Sequence, residues 1–301
     1  MSSIDISVKC PAHIVDVQSE LLDNLKPALA DKVFEKVGTK SLYKTSCDED
    51  VIDLAAGALR DGIQSDWDLT DVKSCIFVSE NQRLMFPGNG NVLASMFSYF
   101  EKSFIINMNS GCTGFVDSLF IASALGGKSL IICSESYSKR VSKFNRSVSP
   151  IFSDAAAAVM LDFQHIQFTS LANVNDSSKY KSISCGYDED IRMDGSVVYE
   201  FVISHVLPLV DDLLSRKRYK NVFIHQGSAL VLEAFSRLSK KYNFVIHENL
   251  GVRGNTVSAT IPILLYDTYG PKIDLRSEGP FLLVAFGVGL SASIGVLEAR
   301  V

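Results

Sequence analysis

The stretch "NMNSGCTGFVDSLFIASAL", residues 107–125, follows the apolar run "SFIIN" and opens an apolar segment with helical spacing. It reads as a strand running into a helix through a turn that holds Gly111, Cys112 and Gly114. Two readings of the turn stand side by side. The glycines make a tight turn and the cysteine fills space, or the backbone is shaped to aim a sulfur at something.

Outward from this turn, apolar runs alternate with helical patterns. Strands are expected at 4–8, 74–79, 103–108, 129–134, 155–161, 221–226, 244–246 and 281–286. Helices are expected near 18–37, 48–63, 90–100, 112–126, 196–216, 228–242 and 256–268. Several strands are apolar at consecutive positions, as when both faces of a sheet are covered. The alternation implies an α/β protein with mostly parallel sheets. The order strand, helix, strand, helix ends near "AAAAVMLDF" and resumes after a polar stretch at 172–190. This predicts two similar α/β halves, 1–165 and 166–301, with one continuous doubly wound sheet as the alternative.

Composition narrows the function classes. The 301 residues carry a net charge of −5, and "SRKRYK" (215–220) is too short a basic run to make a nucleic-acid surface. The N-terminus lacks a signal-peptide layout, and no long uninterrupted apolar run marks a membrane span. Six cysteines at 10, 47, 75, 112, 133 and 185 form no CxxC pair. Reduced thiols of a cytoplasmic protein are expected, mostly as small core residues, with no metal site.

A thiol attacks as the thiolate, and the first turn of a helix favours that anion. The turn therefore has the form of a cysteine nucleophile elbow. A nucleophile also needs a partner, and His225 stands out among five histidines (13, 165, 205, 225 and 247). It ends the apolar strand "NVFI" and precedes "QGSAL", a turn into a helix, where α/β folds place ligands. Asn255 in "GVRGNTVSAT" is either a helix cap or a site residue. "AFGVGLSAS" (285–293) sets Gly287 and Gly289 around Val288, whose amide is a candidate oxyanion donor.

Together and in this order, these stretches resemble the thiolase-fold condensing enzymes, most closely the ketoacyl-acyl-carrier-protein synthase III group. The matches are "GCTGF", "FSDAAAAVML" (152–161), "IHQGS" (224–228), "GNTVSATIP" (254–262) and "FGVGLS" (286–291). Weaker ones are "KVGTKSLY" (36–43), "FP" (86–87) and "MDGSVVYEFVI" (193–203). The resemblance implies a thiolase-like fold of two α/β halves in a five-layered α-β-α-β-α core, usually a homodimer. It implies that Cys112 takes an acyl group from a CoA or carrier-protein thioester, with His225 and Asn255 beside it to hold the second substrate's carbonyl. Backbone N–H groups of Cys112 and Val288 would hold the oxyanion, and Phe86 would close the acyl pocket of the neighbouring subunit. No cofactor is implied beyond the acyl thioester substrate, and an acyl-carrier protein is the implied partner.

The chain departs from the family pattern in places. Ser228 replaces an asparagine, alanines replace two glycines of the 152–161 strand, and an arginine after "IHQGS" is missing. These point to a specialised relative performing decarboxylative condensation with a malonyl-type carrier thioester. The alternatives are acyl transfer to an oxygen or nitrogen acceptor, with His225 as general base, and a non-catalytic partner subunit.

Overall fold

A computed structural model describes residues 2–187 and 189–300. Met1, Val301 and Asp188, at the ends of the two expected halves and within the polar stretch, lie outside the described residues. Among the described residues, two sheets carry the fold. The first has strands in the order Lys272–Asp274, Ser3–Lys9, Ala155–Asp162, Lys128–Glu135, Ser74–Val78, Phe104–Met108. The second runs Val245–Ile246, Asn221–Ile224, Phe281–Gly287, Ser291–Ala299, Ile166–Asn175.

Consecutive apolar positions have the expected cause. Ile76 and Val78 face one core while Cys75 and Phe77 face another, so both faces of one strand are covered. The central core takes residues of both sheets together with Phe115, Val116 and Leu119 of helix Gly114–Leu125 and Ile261, Ile263 and Leu264 of helix Thr260–Tyr269. Helix Val51–Gln64 covers the outer face of the first sheet. Helices Leu207–Arg216 and Ala229–Tyr242 cover the outer face of the second. The result is the thiolase-like α-β-α-β-α stack.

The sheets are mixed rather than mostly parallel. Ser74–Val78 pairs in parallel with both neighbours, but Lys128–Glu135 runs antiparallel to Ala155–Asp162, and Phe281–Gly287 antiparallel to Ser291–Ala299. The last pair is joined by a turn too short for a parallel crossover. Strands Ile166–Asn175 and Ser291–Ala299 were not expected. Gly295 reads as a strand breaker, yet it makes room for Phe168: a Cβ there would lie 2.2 Å from the Phe168 ring, at a bulge in the ladder. The expected helix 18–37 is two helices, Val17–Asn24 and Pro27–Val37, because proline opens the second.

All six cysteines are free. Cys75 and Cys133 are core residues as expected, but Cys47 and Cys185 are exposed. Neither belongs to an apolar element, so burial has no driving force at those positions.

Candidate active site

Strand Phe104–Met108 delivers the chain to Gly111, which sits at φ +49°, a region glycine enters at little cost. A single turn, Gly111–Thr113, precedes helix Gly114–Leu125. Cys112 is 6% exposed. The backbone N–H groups of Cys112 and Val288 lie beside its sulfur and act to lower its pKa. The loop carrying Val288 reaches it because Gly287 has no side chain: a Cβ there would lie 2.7 Å from both Cβ and Sγ of Cys112. Gly114 packs its backbone against Val78, and Gly289 lies beyond, against Ser291. Of these glycines Gly287 lines the site itself, whereas Gly114 and Gly289 shape it from behind.

The thiol is not activated at rest. Burial pushes its pKa well above the ordinary cysteine value, and the nearby Glu135 and Glu80 carboxyls push it further, against the two N–H groups. This corrects the expectation that the helix start holds the sulfur as an anion. Cys112 precedes the α-helix proper, and desolvation with two acidic neighbours outweighs the favourable amides.

His225 follows strand Asn221–Ile224, with its backbone N–H donating to Val284 C=O at 2.9 Å. It is 2% exposed, and Phe286 meets its ring edge-on at 5.4 Å between centroids. Among the described residues its Nδ1 has no hydrogen-bond partner. Burial lowers its pKa to about 3, so the imidazole is neutral at pH 7. The other histidines have plain roles or positions; His247, for instance, stacks on Phe223 at 4.5 Å and His205 on Phe201 at 5.2 Å.

Asn255 does act as a local cap. Its Oδ1 accepts the N–H of Val257 at 2.9 Å, supporting Val257 at φ +53°. Its backbone is pinned on both sides, donating to Ile151 C=O at 3.0 Å and accepting from Ser153 N–H at 2.9 Å. With the oxygen held, the amide nitrogen is the end left for the cavity. Capping and site placement are therefore compatible at this residue.

Cys112, His225, Asn255, Gly287 and Val288 line one narrow cavity of about 110 Å³, together with Phe152, Phe286 and Val198. Residues up to 176 positions apart in the chain meet there because four segments, carrying Cys112, His225, Asn255 and Val288, converge. Ser228 also lines it, and its Oγ accepts the Val231 N–H, capping helix Ala229–Tyr242. That explains how serine serves where the family pattern has asparagine. Phe86 does not line this cavity; it sits on a surface loop, 79% exposed.

Sequence reading missed the carboxyls. Glu135, fully buried at the end of strand Lys128–Glu135, accepts from Ser258 Oγ at 2.6 Å and from the Glu80 N–H at 3.1 Å. Burial, then the charge of Glu80, raises its pKa well above the ordinary value. Glu80 is raised by burial too, opposed by a hydrogen bond from the Gly111 N–H. The only signal in the sequence was an acid closing each apolar strand, "SCIFVSE" and "SLIICSE".

The family model for 3-oxoacyl-[acyl-carrier-protein] synthase III matches residues 106–176. A β-ketoacyl-[acyl-carrier-protein] synthase III of Streptococcus pneumoniae is 28% identical over 216 residues, 64% of this chain and 67% of the relative. A 3-oxoacyl-(acyl-carrier protein) synthase structure from Burkholderia xenovorans superposes with TM-score 0.84 at 21% identity, covering 99% of this chain and 94% of the other. The priming β-ketosynthase of the R1128 polyketide pathway gives 0.81 at 18%, covering 98% and 95%. The chain has the thiolase-like fold, and it resembles the 3-oxoacyl-[acyl-carrier-protein] synthase III family in sequence as well as in architecture.

Proposed function

We propose that the protein is an acyltransferase that carries an acyl group on Cys112 and condenses it with a malonyl-type thioester on an acyl-carrier protein. The observation that carries this reading is the single cavity lined by Cys112, His225 and Asn255, with the Val288 and Cys112 N–H groups on the sulfur. In the first step the Cys112 sulfur displaces the donor's thiol from its acyl group. The thiol proton passes to the departing thiolate, and the two N–H groups hold the carbonyl oxygen as it becomes an anion.

In the second step the malonyl carboxylate leaves as carbon dioxide. The enolate oxygen is held by His225 and the Asn255 amide while its carbon attacks the Cys112 thioester. The sulfur leaves as thiolate and takes up a proton. Neutral His225 suits this role. An imidazole held to about 3 is a hydrogen-bond donor through Nε2–H and a weak base. That favours condensation over transfer to an alcohol or amine, which relies on a general base.

We further propose that 1–165 and 166–301 act as two halves and that the enzyme is a cytoplasmic homodimer. Supporting the dimer, Phe104 on the edge strand and Phe120 on the adjoining helix are exposed, as are Met85 and Phe86. A role for Phe86 in the acyl pocket then requires the second subunit. Among the described residues no helix is long and apolar enough to cross a membrane.

The test is direct. The protein is incubated with an acyl thioester, the adduct on Cys112 is located by intact mass and peptide mapping, and malonyl-carrier protein is added. Discharge with release of carbon dioxide supports condensation. An adduct inert to malonyl-carrier protein but discharged by an alcohol or amine overturns it.

A further inference from the structure

A second cavity, of about 520 Å³, adjoins the narrow one through the shared residues Tyr137, Ile183 and Val288. Its chemistry differs. Glu80, Asn81, Gln82, Asn109, Lys139 and Arg140 are among its walls. Glu80 stands at the junction with the sulfur. Its carboxylate accepts the N–H of Gly111, the residue before Cys112, and a Cβ on Gly111 would lie 3.2 Å from its Oε1. With its amide turned to donate, Asn109 faces both carboxyl oxygens from the other side. The carboxyl is therefore held in place and partly accessible, beside the turn that carries the sulfur.

Val51, Ile183, Ile191 and Val288 share this wall, so it admits a hydrocarbon chain, but such a chain offers nothing to Glu80 and its polar neighbours. An unsubstituted acyl group would strip water from these groups and return no hydrogen bond. A group carrying a donor of its own restores the bond, and a site built this way discriminates against the analogue that lacks it. The narrow cavity, at about 110 Å³, suits an unbranched thioester arm; the wide one has room for a substituted acyl group.

We infer that the wide cavity receives the acyl group, that this group bears a hydroxyl or amino hydrogen-bond donor close to its carbonyl, and that Glu80 selects it. The inference rests on the acyl-thioester reading of Cys112. It is tested with the N-acetylcysteamine thioesters of butyrate and 3-hydroxybutyrate, following the initial rate of the Cys112 adduct by intact mass. The hydroxyacyl donor reacts about tenfold faster or more, and Glu80→Leu brings the ratio to about one or below. Glu80→Gln, which keeps the size and an acceptor oxygen, retains a preference for the hydroxyacyl donor. Equal or faster reaction of the butyryl donor in the wild type overturns the inference, as does an unchanged ratio in Glu80→Leu while Cys112 is still acylated. Should Glu80→Leu fail to fold, loss of the preference in Glu80→Gln overturns it. No adduct with either donor removes the acyl-thioester reading and this inference with it.

Discussion

The two sides of the Cys112 sulfur are built on opposite principles. On one side stand His225, Asn255 and the Val288 amide, neutral groups lining one small cavity. On the other stand Glu80 and Glu135, two carboxyls that burial pushes above the ordinary range, Glu135 further so by the charge of Glu80. The neutral side presents hydrogen-bond donors to an oxygen that becomes negative. Burial, with the acidic side added to it, raises the thiol, which disfavours a resting thiolate. On the proposed mechanism, this turn serves the charge of the transition state rather than that of the resting sulfur.

Removing the sulfur erases the comparison and has the largest effect. Cys112→Ala is expected to abolish the acyl adduct and lower turnover by about 10⁴-fold or more, with mass spectrometry and carbon dioxide release as readouts. Forcing the two sides apart comes next. Gly287→Ala puts a methyl 2.7 Å from the Cys112 sulfur, so either the Val288 loop or the sulfur must move. Acylation is expected to fall by about 10²–10³-fold, the size of a lost oxyanion donor, with a stability loss of about 1–3 kcal/mol from overpacking seen in denaturant unfolding.

Substitutions on the neutral side alone separate the two half-reactions. Asn255→Ala and His225→Ala are each expected to slow discharge of the Cys112 adduct by malonyl-carrier protein by about 10²-fold or more. The adduct itself is expected still to form, within roughly tenfold of the wild-type rate, because the proposed mechanism assigns its oxyanion to the Cys112 and Val288 amides. Single-turnover measurements of each step distinguish this split from a general collapse of the site. Equal loss of both steps in both variants sinks the assignment of separate donors.

Much of this was legible because it is local. "NVFIHQGS" shows a strand ending in histidine, and a strand end is an open place; "NSGCTGF" shows a turn that only glycines permit. What depends on partners far along the chain was not. Nothing around Glu135 announces that Ser258 and the Glu80 amide will receive it. Nothing in "SASIGVLEA" shows that its glycine lies under Phe168. Strand direction was misjudged for a related reason: apolar runs report burial on both faces, and connection geometry, not burial, sets parallel or antiparallel pairing. The thiol's state was misjudged because a helix start is visible in sequence, whereas the desolvation that outweighs it is a property of the folded site.

The smallest effect tests the dryness of the neutral side without any substrate. His225 has a pKa of about 3 when folded and an ordinary value near 6.5 in the unfolded chain. Below pH 6.5 the unfolded chain takes up a proton that the folded protein refuses, so the unfolded state gains. The stability linked to His225 is therefore complete above pH 6.5 and lost progressively as pH falls toward 3. Between pH 7 and pH 5 this amounts to about 2 kcal/mol, from 1.36 kcal/mol per pH unit. Urea unfolding of the wild type is expected to show that loss in excess of His225→Gln, which cannot be protonated, over the same interval. Parallel curves for the two proteins would mean that water or a buried partner reaches the imidazole, and the contrast between a dry neutral wall and an acidic one would not hold.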